Sequence, residues 1–320
     1  MVAARIVPTA SESTNFLLQI PTTMNATTSA ANLPATIEQL WVYPVKSCAG
    51  IQLKEAELTD TGLLYDRAWM VVDSSGEFVS QRELPRMALI QPSFKLGQLM
   101  LRAPGMLALH LALDAAEGPA KVRVWDDEVM ACDMGDLAAQ WFSDFLGPEA
   151  PADLKRLRLA RFDPEVKRRC DAAWTGGREA LTQFSDGFSL LVTSQASLDA
   201  LNLRMDAAGH APVTMARFRP NIVLGGVEPH DEDRVGNWSI TTDGGSARLD
   251  NAKPCARCPI PNIDPVTAIA SPEVGDTLQT YRKDRRLGGA ITFGMNAILV
   301  EGDGQMLRVG QAVAGEWRFE

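Results

Sequence analysis

Ile37-Glu-Gln-Leu-Trp-Val-Tyr43, followed at once by Pro44-Val-Lys-Ser47, sets the texture of this chain. A short, mostly apolar run is stopped by proline and delivered into a turn carrying an ammonium and a hydroxyl. The texture repeats in Ile51–Leu58, Trp69–Val72, Gly97–Leu101, Leu107–Leu113 and Val122–Trp125, with Gly, Pro and Asp between the runs. Runs of this length read as strands, and Asp73-Ser-Ser-Gly76 reads as a turn between two of them, so this half is antiparallel β structure. Residues 136–146 change the period: Leu137, Trp141, Phe142 and Phe145 fall on one side at helical spacing before Gly147-Pro148 stops them. The expectation is a β-barrel-like domain over residues 36–150, closed by one helix.

Residues 147–180 read as a loop-rich junction, basic at Lys167-Arg168-Arg169. Beyond it Leu190–Thr193 predicts a strand, Ser194 a helix N-cap and Gln195–Met205 an amphipathic helix. Strands at Ile222–Leu224, Trp238–Thr241 and Ala297–Val300, and a short helix over Thr277–Lys283, complete a second β-dominated domain over residues 151–320. The fold class is therefore α+β, dominated by β. Residues 1–35, rich in Thr, Ser, Ala and Asn, read as a disordered extension; Met24 offers an alternative start. The apolar patch Phe16–Ile20 is shorter than a signal-peptide core, and one arginine makes thin support for a mitochondrial presequence.

The 320 residues are 46% hydrophobic and 22% charged, with a mean hydropathy of -0.07, which is the ordinary globular range. No apolar run approaches the roughly 20 residues that cross a bilayer, so no membrane partner is expected. A net charge of -9 argues against nucleic acid, whose binding needs a basic surface. Five scattered cysteines make no disulfide framework and suggest a reducing, cytoplasmic setting. With three histidines, any metal chemistry runs through sulfur. Trp41, Trp69, Trp125 and Trp141 are expected to pack into cores, His110 to be structural, and Asp126-Asp-Glu128 to be an acidic turn.

The most specific local feature is Lys253-Pro-Cys-Ala-Arg-Cys-Pro259. A CxxC serves as half a zinc site, as a redox dithiol, or as one active thiolate with an ancillary neighbour. Zinc lacks a second ligand pair here, and a thioredoxin-like dithiol lacks its preceding βαβ pattern. The third use suits Lys253 and Arg257, whose charges favour a thiolate and a soft metal. Four further stretches place a cation beside a turn-forming or rigid residue: Pro44–Ser47, Asp66-Arg67, Gln81–Arg86 and Arg219-Pro-Asn221. Each alone reads as a solvated surface charge. Lys46-Ser47 follows a strand directly, however, where ammonium, hydroxyl and backbone N–H groups can converge on a phosphate.

Taken in order, Leu40-Trp-Val-Tyr-Pro-Val-Lys-Ser-Cys-Ala-Gly50, Tyr65-Asp-Arg-Ala-Trp69, Phe184-Ser-Asp-Gly-Phe-Ser-Leu-Leu-Val192, Arg219-Pro-Asn-Ile222 and Cys255-Ala-Arg-Cys258 closely resemble the MOSC-domain proteins that carry an N-terminal β-barrel domain, over about residues 36–315. That group includes the amidoxime-reducing components. The resemblance implies an oxidoreductase holding molybdopterin-bound molybdenum (the molybdenum cofactor) and reducing N-hydroxylated compounds such as hydroxylamines, amidoximes and N-hydroxylated bases. It makes Cys258 the molybdenum ligand and catalytic centre, with Cys255 ancillary. Lys46, Ser47 and Arg67 would hold the pterin and its phosphate from one side. Arg219, Asn221, Asp186, Gly187, Phe188 and the backbone around Ala256 and Arg257 would hold it from the other. Gly187 and Phe188 stand where relatives carry a small hydroxylated residue, which leaves backbone contacts there.

A cofactor with a phosphate and a dithiolene needs several cations and one soft ligand, and the chain supplies both. Some bacterial relatives append a ferredoxin domain with a C-x4-C-x2-C pattern; none is present, so a separate electron-donor protein is expected. The membrane anchor of vertebrate relatives likewise has no counterpart. The alternative is a cofactor-binding or sulfur-carrier protein in which Cys258 accepts a persulfide, as in the terminal domain of molybdenum-cofactor sulfurases. Pyridoxal phosphate binding enters only as a family-level association, because the chain is too short to hold the desulfurase part as well. A storage protein without turnover is the blandest option.

Overall fold

The computed structural model describes residues 32–318; the expected extension lies outside them as far as residue 31. Strand β1 (Leu33–Val42) starts earlier than its apolar run, because Leu33–Thr36 pair with the last strand of the chain. The chain then leaves to build a first lobe from β2 (Trp69–Val72), β3 (Gly118–Val124), β4 (Asp127–Asp133), helix α1 (Gly135–Leu146) and β5 (Arg158–Phe162). It returns as β6 (Leu190–Ser194), helix α2 (Gln195–Ala207), β7 (Ile222–Gly225), β8 (Val235–Thr242) and β9 (Gly245–Ala256). Helix α3 (Glu273–Tyr281), β10 (Lys283–Asp284), β11 (Ala290–Glu301) and β12 (Ala312–Trp317) complete it.

Seven strands close a barrel in the order β6-β7-β1-β12-β8-β9-β11, with β11 returning to β6 through Leu190 opposite Ala297 and Val192 opposite Met295. All neighbours are antiparallel except β6 and β7. Gly294 makes the closure possible. Its φ is +77°, and a Cβ there would lie 2.5 Å from Thr193 Cγ2 and 2.7 Å from the Val192 carbonyl oxygen. Ile37, Leu40, Leu190, Val192, Ile222, Leu224, Trp238, Leu249 and Val313 pack together in one core. Alternation along β7 leaves Val223 in a separate cluster with Leu198 and Leu201 of α2 and Leu278 of α3.

The first lobe contains a four-stranded sheet, β2-β5-β4-β3, and a three-stranded sheet of residues 91–95, 98–102 and 109–112. β2 is buried on both faces, which its unbroken Trp-Met-Val-Val sequence encodes. Trp69 and Val71 pack with Trp141, Phe142 and Phe145 of α1, whereas Met70 and Val72 pack with Val122, Val129 and Phe162. Strand pairing crosses residue 150 in both directions: β1 belongs to the barrel, and β5, inside the expected junction, belongs to the first lobe. Connections that cross twice bring the loops of both halves together at their junction.

Local readings need four corrections. Leu137 is 71% exposed, on the outer side of α1. Trp125 is at the two-residue turn between β3 and β4, with φ +56°, rather than in a core, and the acidic residues Asp127 and Glu128 already belong to β4. Helix α3 runs over Glu273–Tyr281, one turn earlier than expected. Trp41 is half-buried and donates its indole N–H to Gln39 Oε1 at 2.8 Å. Among the described residues no helix is long and apolar enough to cross a membrane.

Candidate functional site

The turn after β1 and the segment entering β2, far apart in sequence, are hydrogen-bonded neighbours. Arg67 N donates to Tyr43 O at 2.8 Å, Lys46 N to Trp69 O at 2.8 Å, and Trp69 N to Pro44 O at 3.0 Å. The path between them is strained: Ser47, Tyr65 and Arg67 have φ of 67°, 66° and 49°, and Arg219, on the barrel side, has 56°. Such conformations cost about 1 kcal/mol or more for a residue with a Cβ, and they gather at functional sites. Ser47 is buried; its carbonyl accepts from Gln81 Nε2 at 2.6 Å, and its hydroxyl makes no hydrogen bond among the described residues.

The strain aims two guanidinium groups at one ring. Arg67 and Arg219 lie 4.4 Å and 4.3 Å from the Tyr43 ring centroid, one from each half of the molecule. Arg67 is held by Asp66 at 2.5 Å, by the Arg219 carbonyl at 3.0 Å and by Asn221 Oδ1 at 3.3 Å. Asp66 also accepts from Tyr43 N at 2.8 Å. Arg219 Nη1 donates to the Cys48 carbonyl at 2.6 Å, while its Nη2 is buried with no partner among the described residues. Burial, and then Arg67 beside it, lowers the Arg219 pKa to about 10. Burial likewise pushes the Cys48 thiol up to about 12, so that cysteine is inert.

A second wall follows from β9. Arg257 N donates to Ile291 O at 2.9 Å, which ties the segment after β9 to β11. Its guanidinium donates to the Phe218 carbonyl at 2.8 Å, adjacent to Arg219, and to Cys255 Sγ at 3.0 Å, leaving Nε buried and unpartnered. The two cysteines therefore differ. Cys255 is engaged by Arg257, whereas Cys258, half-exposed just beyond the strand, has no hydrogen-bond partner among the described residues. Among the described residues no three His, Cys, Asp or Glu side chains are placed to hold a metal ion. A metal here would need most of its ligands from outside the protein.

Lys46 lies deeper, donating to the Phe184 carbonyl at 2.8 Å and to Asp186 at 2.5 Å. Burial lowers its pKa, and Asp186 opposes that shift. Asp186 itself is largely exposed and also accepts from Trp125 Nε1 at 3.0 Å. Gly187 is partly exposed, with nothing within 4 Å of where its Cβ would be. The Phe188 side chain packs with Cys170, Ala180, Ala252 and Ile298, and Ala256 is exposed at the end of β9. Asn221 is buried, accepting from Leu191 N at 3.1 Å and donating to Trp41 O at 3.2 Å, so it ties β1, β6 and β7 together. Arg168 binds Asp127 and the carbonyls of Gln183, Ser185 and Asp186. It clamps a loop. Arg82 lies 4.7 Å from the Trp125 ring and donates to Ser80 Oγ at 3.1 Å.

Sequence reasoning passed over Tyr43, Asp66 and Trp125. Tyr43 was one more apolar residue in a run, and Asp66 the unassigned partner within Asp66-Arg67. A tyrosine placed directly before the proline that ends a strand was the available signal. Two open clefts, of about 460 and 570 Å³, lie elsewhere, and none of these residues lines either.

Residues 34–149 match the family described as the MOSC N-terminal beta barrel domain, and residues 181–314 the MOSC domain. The chain is 33% identical over 258 residues to mitochondrial amidoxime reducing component 2 of Rattus norvegicus, covering 77% of this chain and 72% of that protein. It is 32% identical over 291 residues to component 1 of Homo sapiens, covering 87% and 82%. It is also 30% identical over 305 residues to molybdenum cofactor sulfurase of Oryza sativa subsp. japonica, covering 88% of this chain and 34% of that protein.

Proposed function

The chain belongs to the MOSC-domain proteins that carry the MOSC N-terminal beta barrel domain, and from that premise we propose that it is a molybdenum-cofactor-dependent reductase of N-hydroxylated compounds. One observation carries the reading. A free, half-exposed Cys258 follows a strand end whose Arg257 reaches the Arg219 corner, and that corner holds two buried guanidinium N–H groups without partners, Arg219 Nη2 and Arg257 Nε. Buried donors are rarely left unpaired. A bound anion would satisfy them, and a thiolate beside it would supply the soft ligand.

The residues present fit the cofactor on both counts. Cys258 Sγ would be the one protein ligand to the metal, while Lys46, Ser47, Arg219 and Arg257 would bind the phosphate and pterin. Arg67 positions Arg219 and Tyr43, because its own donors already meet Asp66, Asn221 and the Arg219 carbonyl. Asp186 balances the buried Lys46, and an arriving phosphate would compete for that ammonium. When bound, the cofactor supplies a metal that takes an oxygen atom from an N–O bond. The net reaction consumes two electrons and two protons, breaks the N–O bond and releases the reduced nitrogen compound and water. The electrons would come from a separate donor protein.

Protein from a host that makes molybdopterin should carry about one molybdenum and one pterin per chain, and Cys258→Ala should lose the metal or the activity with an artificial electron donor. Absence of pterin from the wild-type protein would sink the reading. The match to a molybdenum cofactor sulfurase over 88% of the chain supports a second one, cofactor binding with a Cys258 persulfide. Protein that holds molybdenum and pterin but fails to reduce a hydroxylamine would favour it.

A further inference from the structure

Arg282-Lys-Asp-Arg-Arg286 places four cations and one carboxylate in five consecutive residues of a chain whose net charge is -9. Arg282 turns inward to Asp233 at 2.5 Å and to the Thr292 carbonyl at 3.1 Å. Asp284 accepts from Arg286 at 2.7 Å. Lys283 and Arg285 are exposed, and neither has a carboxylate within ion-pair distance among the described residues. Together with Arg234 and Arg318 they rim the open cleft of about 570 Å³. Five cations line that cleft against two carboxylates, Asp233 and Asp284, each already engaged; of the five, Arg286 pairs with Asp284, Arg234 pairs with Asp231, and Arg318 donates to the Asn251 carbonyl at 2.5 Å, so Lys283 and Arg285 carry most of the uncompensated charge.

The position of this rim is fixed by strand register. Lys283 pairs with Ile291, and the Ile291 carbonyl accepts from Arg257 N, so β11 alone separates β10 from the segment that carries Cys258. Two strand spacings amount to about 10 Å. A small anion is a poor occupant: Asp233 Oδ1, buried and unpartnered, faces the same surroundings and would repel it. Long, solvated cations on open walls suit a broad acidic surface, which they attract from a distance while paying little desolvation. The remaining surface, with its negative excess, would turn such a partner away.

We propose that the rim formed by Lys283, Arg285, Arg234 and Arg318 is the docking face for an acidic electron-carrier protein of the flavin class. The inference rests on the reductase reading for what the electrons do. Two one-electron transfers from the reduced carrier, which leaves oxidised, and two protons from water complete the conversion of an N-hydroxyl group to N–H plus water. The carrier approaches beside β10 and delivers charge toward Cys258, while substrate needs only the half-exposed side of that thiol.

The test uses the cofactor-loaded protein and its Lys283→Glu/Arg285→Glu variant, with a flavodoxin as acidic probe, cytochrome c as basic probe, and reduced methyl viologen as small donor. Flavodoxin should bind the wild type at about 20 mM salt and at least about tenfold more weakly at about 300 mM. The variant should lose about tenfold at low salt and most of the salt response, while its affinity for cytochrome c rises. Viologen-driven turnover should be equal in both proteins. Flavodoxin binding that is absent at low salt, or unchanged by the charge reversal, overturns the docking face. Loss of viologen turnover in the wild type overturns the reductase reading instead, since binding is read without turnover. Should the charge reversal unfold the chain, Lys283→Gln/Arg285→Gln must show the same changes at smaller size, and its failure to do so overturns the proposal equally.

Discussion

Two buried polar clusters sit in this barrel, and they are finished differently. Around Arg219, cations exceed carboxylates, four non-glycine residues hold positive φ, and two N–H groups lack partners. Around Glu232, which is fully buried, both carboxylate oxygens are taken: Oε1 accepts from Ser197 Oγ at 2.6 Å and Oε2 from Ser194 Oγ at 2.9 Å. Ser194 also caps α2 by accepting from Ser197 N. The Glu232 carboxylate is satisfied from within and fastens a helix to the barrel, although Asp233 Oδ1, Asn251 Oδ1 and both His230 ring nitrogens near it are buried without partners among the described residues. The first is satisfied only in part, and strain of this kind persists where a ligand repays it. The difference lies in the charged group itself: the Glu232 carboxylate has a donor on each oxygen, whereas Arg219 and Arg257 each keep a buried nitrogen without a partner among the described residues.

The sharpest way to break this comparison is to unbalance the open cluster from its structural side. Asp66 is the one carboxylate on Arg67 among the described residues, and its side chain is 1% exposed. Asp66→Asn leaves the guanidinium buried without a counter-charge and should cost about 3 to 5 kcal/mol, read as a fall in the urea midpoint at unchanged m. A change below about 1 kcal/mol would mean that water already reaches Arg67, as at an exposed pair, and that the cluster is not a closed, desolvated one.

Glu232 supplies the next effect, in the closed cluster. Burial, with Asp233 adding to it, raises its pKa from 4.5 to about 7. The folded chain therefore keeps a proton that the unfolded chain releases, and this group's contribution to stability falls as pH rises from about 4.5 to about 7. His230 runs the other way: burial, and then Arg282 and Arg204, lowers its pKa from 6.5 to about 4, so its contribution rises with pH between those values. The two partly cancel in the wild type. The difference between Glu232→Gln and wild type isolates the glutamate and should move in favour of the variant by about 3 kcal/mol from pH 4.5 to pH 7. A flat difference would show that the carboxylate is charged throughout and that the serine hydroxyls suffice to hold it.

The division between what was and was not legible follows the same physics. Lys46, Arg67, Arg219 and Cys258 stand in local strings of turn and cation, and apolar runs marked β1, β2, β6 and β7 because each is short and mostly buried. Strand β9, which carries Cys255, left no such trace: Asn251 occupies one of its buried positions, where its amide donates to the Glu232 and Val235 carbonyls, and Pro254 sits within it beside register shifts. Hydrogen bonds, not hydrophobic alternation, hold that strand. Strand β5 was hidden in a basic junction, and β1 showed nothing to say that its partners lie at β7 and β12. The pairing of Arg67 with Asp66, and the seat of Tyr43 between two guanidinium groups, depend on backbone at positive φ. Non-glycine residues do not announce that conformation.

The smallest expected effect discriminates best, because its two readouts move independently. Arg219→Met keeps length and removes the charge. The cofactor-free protein loses one hydrogen bond to Cys48 O and a contact with Tyr43, but it also sheds a buried cation whose pKa is already depressed, so its Tm should stay level or rise. Cofactor retention should fall by at least about tenfold, the worth of one charge-assisted hydrogen bond, measured as pterin per chain after identical purification. A marked loss of Tm with full pterin content would place Arg219 beside Glu232 as a structural residue, and the unpaired Nη2 would then need water, not an anion, to complete it. Level Tm with depleted pterin would instead separate the two clusters by function, since a residue that binds ligand at the fold's expense is missed only when the ligand is present.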